Sequence, residues 1–182
     1  DPDGAVYWLT RMLDGGDEPL YLARRLVRVA SEDVGNADPR ALEVTLNAKA
    51  AFDFLGSPEG ELALAQAATY LAIAPKSNAV YAAYNEAVAD VSASGSLEVP
   101  YHIRNAPTRL MKELGYGEGY RYDHDHEGGV APEQTYLPDG LAERVYYRPT
   151  DRGLEGRVKE RIEALRDQRR AARQAGEGDP NP

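Results

Sequence analysis

The chain has 182 residues, a formal net charge of −9, 42% hydrophobic residues and no cysteine. That length is sufficient for one sizeable hydrophobic core, and the lack of cysteine excludes disulfides, thiolate zinc sites and cysteine nucleophiles. The negative charge disfavours non-specific binding to nucleic-acid phosphates, so any such contact has to be local. The excess of acid lies in residues 1–150, because residues 151–174 carry eight Lys and Arg against five Asp and Glu.

No apolar run reaches the roughly 18 residues that a membrane-spanning helix requires. No secretory signal precedes the first predicted helix, and the chain begins at Asp1 rather than at Met. We therefore expect a piece of a longer cytoplasmic protein.

Two amphipathic helices are predicted first. Asp1 or Asp3 can cap the first helix, which ends at Gly15-Gly16. Asp17 is the predicted cap of the second, and Arg28 and Glu32 are spaced as an i,i+4 ion pair. The apolar stripe of the second helix comprises Leu20, Ala23, Val27, Ala30 and Val34.

The third helix has a clear start signal, with Asp38 as N-cap and Pro39 in the first helical position. Ser57-Pro58 repeats that signal for the fourth helix, which has no charge between Leu62 and Ala74 and is predicted to be the central, buried one. The predicted inner face of the third helix consists of Val44, Ala48, Ala51 and Leu55.

A fifth helix is predicted from about Ser77 to Val91, with Val80, Tyr84, Ala87 and Val91 inward. The connections in this half are short, which favours antiparallel packing of neighbouring helices. The sequence therefore predicts an all-α fold, a bundle of about five to seven helices.

The second half is irregular. Residues 92–149 contain seven of the twelve tyrosines and one short predicted helix, about Pro107 to Leu114. Long irregular segments in compact domains usually bind something or wrap the core. We expect one domain over residues 1–174, with a core bundle over 1–92, an irregular wrap over 93–149, a C-terminal helix over 150–174 and a flexible tail over 175–182.

Two clusters resemble catalytic or metal sites. His124 and His126 lie in an acidic stretch of the kind that could bind zinc or iron, but no second group of ligands has a matching spacing, so hydrogen bonding within a loop is favoured. Lys76 and Ser77 could form a nucleophilic pair. The position of Ser77 between two helices favours a capping role instead.

Ser31-Glu32-Asp33 could likewise suggest acid–base chemistry. Its position at the end of an amphipathic helix favours a helix terminus with surface charge. Because carboxylates are unfavourable near a helix C-terminus, we expect a basic partner there.

The stretch 104–122 is basic and rich in tyrosine. Such a mixture can stack bases and neutralise phosphates of single-stranded nucleic acid, and it is equally typical of a protein–protein interface. The acidic body of the chain favours the interface. The candidate residues are Arg104, Arg109, Lys112, Tyr116, Tyr120, Arg121 and Tyr122.

Nucleotide-binding and hydrolase motifs are absent from the sequence. It contains no G-x-x-x-x-G-K-[ST] loop, no G-x-S-x-G elbow and no H-E-x-x-H helix. We therefore do not expect this chain itself to be an enzyme or to bind a cofactor.

Four strings in order resemble the C-terminal region of the replication-associated recombination protein A family (RarA, also called MgsA), which has a eukaryotic relative, the Werner-helicase-interacting ATPase. The pattern Tyr-x-His-Asp of that family matches residues 122–125, whereas His126 has no counterpart in it. The strings are ARRLVRVASEDVGNADPRA (23–41), EGELALAQAATYLAIAPKSNAVY (59–81), RNAPTRLMKELGYGEGYRY (104–122) and YYRPTDRGLEGRVKERI (146–162).

The resemblance implies a parent protein that is a clamp-loader-type AAA+ ATPase acting on DNA at stalled or damaged replication forks. For this chain it implies a helical collar that holds subunits together, most often as a homotetramer. The P-loop, Walker B acid and arginine finger of such proteins lie upstream, so ATP and Mg are expected only there. A nucleoid-associated cytoplasmic location is implied for the parent.

Overall fold

The computed structural model describes residues 1–177. Within that range it contains seven α-helices and no β-strand, which confirms the predicted all-α fold. Among these residues no helix is both long and apolar enough to cross a lipid bilayer. The helices are α1 (Pro2–Asp14), α2 (Pro19–Val29), α3 (Arg40–Leu55), α4 (Glu61–Ile73), α5 (Ala79–Ser94), α6 (Arg109–Glu113) and α7 (Glu155–Glu177).

Tertiary contacts divide the described chain into two compact units. Unit 1 comprises residues 1–87 and 146–159, and unit 2 comprises residues 88–145 and 160–177. The boundaries between the units fall within α5, between residues 145 and 146, and within α7. The single domain expected over residues 1–174 stays a prediction.

Unit 1 is built around α4, which packs against α1, α2 and α3. Its main core contains Leu9, Leu22, Ala48, Leu64 and Ala67, each nearly or fully buried. The predicted central position of α4 is confirmed. Its predicted burial is confirmed for one side only, because Leu62 and Ile73 are 76% and 68% exposed on its outer side.

Capping side chains start the first helices, although not always the predicted ones. The Asp1 carboxylate accepts a hydrogen bond from the Gly4 amide at 2.9 Å, as expected. For α2, however, Glu18 rather than Asp17 is the cap, and it accepts from the Tyr21 amide at 3.0 Å. The start of α2 is therefore one residue later than predicted, with Pro19 in the first turn.

Asp38 lies just before α3, but the helix begins at Arg40 with Pro39 as its N-cap. The carboxylate of Asp38 accepts from the Arg40 amide at 3.2 Å and also from the hydroxyl of Tyr70 on α4. Asp38 thus joins two helices instead of acting only as a cap. Ser57-Pro58 predicted an earlier start for α4, which begins at Glu61. Residues 56–60 form a turn instead, closed by a hydrogen bond from the Gly60 amide to the Gly56 carbonyl.

The inner faces of two helices differ from the prediction. In α3 the buried positions are Ala41, Thr45 and Ala48, whereas the predicted inner residue Leu55 is 52% exposed. Thr45 is tolerated there because its hydroxyl donates to the Ala41 carbonyl at 3.0 Å. Ala48 is buried and Val44 packs against the core, as predicted, so the predicted inner face was wrong only at its Leu55 end.

Helix α5 shows a larger correction. Val80, Tyr84 and Val91 were predicted to point inward, but they are 41%, 66% and 64% exposed. The side that packs inward carries alanines, of which Ala79 is buried and Ala87 half-buried. The larger apolar side chains of the helix are left exposed.

The i,i+4 pair of α2 is confirmed. The Nε of Arg28 donates to Glu32 at 2.6 Å, so Arg28 is the basic partner expected at this helix end. Residues Ala30–Val34 form a π-helical turn that extends α2. Ser31, Glu32 and Asp33 therefore lie at a helix terminus, as predicted.

Unit 2 contains most of the irregular segment, whose one α-helix is the short α6 together with brief 3-10 turns. Thr108 caps α6 by accepting from the Met111 amide at 3.3 Å. Helix α7 begins at Glu155, later than the predicted 150, and continues to Glu177, beyond the predicted 174. The remainder of the predicted tail, residues 178–182, lies outside the described residues.

Candidate interaction surfaces

Arg104 is a structural residue of unit 2. Its guanidinium carbon lies 4.0 Å from the ring centre of Tyr101 and 5.1 Å from that of Tyr116. Its Nε donates to the Val99 carbonyl at 2.6 Å, and Nη2 donates to Glu98 at 2.9 Å. The hydrogen bond that Arg104 donates to Glu98 raises the pKa of Arg104. Because the side chain is only 16% exposed, it holds the segment together and is not presented to a ligand.

The other predicted cations lie at the surface. Arg109 donates to Glu113 at 2.7 Å, and Arg121 lies 3.4 Å from Glu133. Lys112 is exposed and has no ionic partner among the described residues. Residues 98–133 carry four Lys and Arg against seven Asp and Glu. The basic stretch 104–122 is therefore flanked by enough acidic residues to make the wider segment net negative, which disfavours binding to a phosphate backbone.

The tyrosines of this surface have different environments. Tyr116 is half-buried and its ring meets Tyr101 edge-on, with ring centres 5.5 Å apart. Tyr120 and Tyr122 are 50% and 54% exposed, and the Tyr122 ring lies 5.0 Å from the imidazole of His124. The structure thus brings Tyr116 together with Arg104, whereas Tyr120 and Tyr122 remain available at the surface.

Gln134 organises the loop below this surface, and the sequence analysis missed it. It is 5% exposed, its side-chain oxygen accepts from the Arg121 amide at 2.7 Å, and its nitrogen donates to the Tyr136 hydroxyl at 2.9 Å. Asp123 accepts from the Ala131 amide at 2.9 Å. No local sequence signal distinguishes Gln134, because its partners are set by the loop conformation.

The two histidines lie in and just after a short 3-10 turn, Asp123–Asp125. In the part of the chain that the structure describes, no group of three or more His, Asp or Glu side chains could hold a metal ion. Asp123 is instead engaged with the backbone of Ala131. Loop hydrogen bonding by the side chains of His124 and His126 themselves stays a prediction.

Lys76 and Ser77 do not face each other as a nucleophilic pair would. The Nζ of Lys76 donates to the carbonyls of Leu71 and Ala74 at 2.7 and 2.5 Å. Ser77 is 2% exposed and accepts from the Ala79 amide at 3.3 Å, at the start of α5. The predicted capping role of Ser77 is confirmed.

Glu155, the first residue of α7, is a fully buried carboxylate in unit 1. It accepts from the Tyr147 hydroxyl at 2.7 Å and from the amide and hydroxyl of Thr150 at 3.0 and 2.7 Å. Burial alone would raise the pKa of Glu155, but hydrogen bonds from Ser77, Tyr147 and Thr150 outweigh it and hold that pKa below its ordinary value. The sequence analysis missed this cluster, since Ser77 is distant in sequence from Tyr147, Thr150 and Glu155.

Large apolar side chains lie on the outer surface of unit 1. Phe54 at the end of α3 is 89% exposed and Trp8 on α1 is 62% exposed. An apolar cleft of about 350 Å³ beside Trp8 is lined by Met12, Leu26 and Leu71 among others. Exposed apolar surface of this extent is typical of proteins that associate with other proteins.

The outward side of α5 is also apolar. Tyr81, Tyr84, Val88 and Val91 are 43%, 66%, 45% and 64% exposed. The two acidic residues of the helix are turned elsewhere, since Glu86 pairs with Arg148 at 2.7 Å and Asp90 pairs with Arg144 at 2.6 Å. An uncharged, apolar outer helix face favours protein association over nucleic-acid binding.

Comparison with known proteins shows the family of the chain. The family model described as the MgsA AAA+ ATPase C terminal matches residues 1–166. The chain is 59% identical over 166 residues to the replication-associated recombination protein A of Coxiella burnetii, covering 91% of this chain and 38% of that protein. It is 52% identical over 167 residues to the protein of the same name in Escherichia coli K12, covering 92% and 37%.

A eukaryotic relative also matches, as the resemblance had implied. The ATPase WRNIP1 of Dictyostelium discoideum is 42% identical over 147 residues, covering 81% of this chain and 17% of that protein. The chain therefore spans less than two fifths of the length of these relatives. On the family model and these identities, the chain belongs to the MgsA (RarA) family of AAA+ ATPases, in the region of its C-terminal domain.

Proposed function

We propose that this chain is a self-association domain of a RarA-type ATPase that maintains replication forks. The supporting observation is the uncharged, apolar outer face of α5, together with the exposed Phe54 and Trp8. Burying such surface against another subunit is favourable by about 25 cal/mol per Å² of apolar area. The domain would form a collar, and by its likeness to the family we propose a homotetramer.

Self-association would serve the ATPase part of the parent protein, where ATP and Mg are proposed to bind. Subunits held by a collar meet at a high effective concentration, so each ATP site can be completed by its neighbour. The chain itself is then a non-catalytic part of a cytoplasmic, nucleoid-associated enzyme. DNA at replication forks is the proposed target of that parent.

The molar mass of the chain in solution tests this proposal. Light scattering and sedimentation velocity at tens of micromolar should show a species heavier than the 19.9 kDa monomer, with a mass that falls on dilution. A strictly monomeric chain over that range of concentrations would refute the proposal.

DNA contact by residues 104–122 is the alternative function. Lys112, Tyr120 and Tyr122 are exposed and support it, whereas the internal role of Arg104 and the negative balance of residues 98–133 weigh against it. Its signature is salt-dependent binding to single-stranded or forked DNA that is lost in the double variant Arg109→Ala, Arg121→Ala. If no binding occurs at low salt, this alternative is excluded.

A further inference from the structure

The outward face of α5 has a regular pattern. Tyr81, Tyr84, Val88 and Val91 are spaced by three, four and three residues, which is the a–d–a–d spacing of two heptads. All four belong to one continuous helix, Ala79–Ser94, so helix geometry alone puts them on one side. Each is between 43% and 66% exposed. A heptad face of this kind normally packs against a second helix.

The charged side chains of α5 lie away from this apolar face. Glu86 and Asp90 are the only acidic residues of the helix, and it contains no Lys or Arg. At about 100° per residue they lie roughly 140–180° round the helix from the centre of the face. Both are held there by ion pairs with Arg148 and Arg144. The face therefore imposes no charge repulsion on an identical face, although the chain as a whole is strongly acidic.

We propose that this α5 face packs antiparallel against the same face of a second copy of the chain. In an antiparallel pair, a positions lie opposite d positions, so Tyr81 meets Val91 of the second copy and Tyr84 meets its Val88. Each large ring then lies against a small valine. A parallel pair would put tyrosine against tyrosine and valine against valine, which leaves two layers crowded and two underfilled. The face is thus self-complementary, as a two-fold symmetric contact requires.

This inference rests on the proposed function and names the contact that carries it. A pairing of two heptads is smaller than the roughly 800 Å² per partner of a standard interface. We therefore expect micromolar association from this contact. Because a two-fold contact joins only two copies, a tetramer would need a second surface.

Cysteine cross-linking tests the pairing directly, because the chain has no natural cysteine. One copy carries Tyr84→Cys, and a second copy of distinguishable mass carries Val88→Cys. On mild oxidation the mixture should give mainly the disulfide-linked heterodimer, at least several-fold above either linked homodimer. A mixture of Tyr7→Cys with Val88→Cys is the control, since Tyr7 lies on α1 and is 62% exposed.

A second measurement compares two matched tyrosines. Tyr84→Asp, at a position 66% exposed, should weaken self-association at least tenfold, whereas Tyr7→Asp, at a position 62% exposed, should leave it within twofold of the wild type. Circular dichroism melting of both variants establishes that they fold. Equal effects of the two substitutions would overturn the proposal.

The possible outcomes separate this inference from the proposed function. If Tyr84→Cys links mainly to itself, the antiparallel arrangement is wrong. A further outcome is that the wild type associates while no disulfide forms between Tyr84→Cys and Val88→Cys and Tyr84→Asp leaves self-association unchanged. In that case the contact lies elsewhere and the proposed function stands. If the wild type is monomeric at all concentrations, both proposals fail.

Discussion

The hydroxyl of Tyr147 donates a 2.7 Å hydrogen bond to the buried carboxylate of Glu155, at the start of α7. Tyr147 in turn accepts a hydrogen bond from Asn36 at 3.0 Å. Since Thr150 also donates twice to Glu155, one carboxylate joins the segment before α7 to the bundle of unit 1. A buried anion with this many donors is stable only while all of them remain in place.

Glu155→Gln should destabilise the chain by about 3 kcal/mol at neutral pH. The glutamine side chain carries no charge. Its NH₂ group is itself a donor, so it cannot accept the hydrogen bonds that the second carboxylate oxygen accepts. Urea unfolding of both proteins measures the difference. Glu163→Gln is the matched control, because Glu163 is exposed on the same helix, and it should change stability by less than about 0.5 kcal/mol.

The stabilisation by Glu155 should depend on pH in the acid range. The pKa of Glu155 is lowered in the folded chain, because hydrogen bonds outweigh burial. The group therefore stabilises the fold above its ordinary pKa of 4.5, and this contribution disappears as the pH falls through the lower folded pKa. The stability difference between wild type and Glu155→Gln should be largest at neutral pH and decrease below about pH 4.5. A difference that grows on acidification would contradict this account.

Gly153→Ala should destabilise unit 1 by about 3 kcal/mol. A Cβ atom at this position would lie 2.2 Å from the Ala37 carbonyl oxygen, and φ is +54°. The close approach is needed because the Leu154 amide donates to that carbonyl at 2.8 Å. Gly95→Ala is the control: φ is similar at +65°, but no atom lies within 4 Å. It should cost only about 1 kcal/mol, from backbone strain. Equal losses in thermal unfolding would show that packing at Gly153 is unimportant.

Tyr70→Phe should cost about 1 kcal/mol, since it removes the hydroxyl that donates to Asp38 between α3 and α4. Burial raises the pKa of Asp38, but hydrogen bonds from Tyr70 and Arg40 outweigh burial and hold that pKa below its ordinary value. The pKa of Asp38 should therefore rise in the variant, which NMR titration of its carboxyl carbon measures. Tyr84→Phe, at an exposed tyrosine, should leave the pKa of Asp38 unchanged.

Arg104→Lys should loosen the segment around α6 without altering any binding to DNA. A lysine cannot both stack between Tyr101 and Tyr116 and keep the bonds to Glu98 and Val99. Hydrogen exchange of the Gly117 amide, which is bonded to the Tyr101 carbonyl at 2.9 Å, should speed up about tenfold. Lys112→Ala, at the exposed lysine of α6, should leave that exchange rate unchanged. An unchanged exchange rate in Arg104→Lys would contradict the structural role of Arg104.

Much of the architecture could be predicted from the sequence. Apolar spacing of three and four residues, together with caps such as Asp1 and breakers such as Gly56, predicted five helices of the bundle in the right order. These signals are local, because a cap or a turn acts within a few residues. The family strings likewise required no folded structure, and the family they indicated is confirmed.

Tertiary structure decided which sides of those helices are inside. Helix α5 has alanines on one side and Tyr84 and Val91 on the other, and periodicity could not distinguish the buried side from the exposed side because both are apolar. The partners of Arg104 and Glu155 were equally beyond local reasoning. Whether a charge faces solvent or is buried depends on donors and acceptors that only the folded chain brings together. By itself, the sequence determined the helices and the family, and folding decided which apolar face is left exposed.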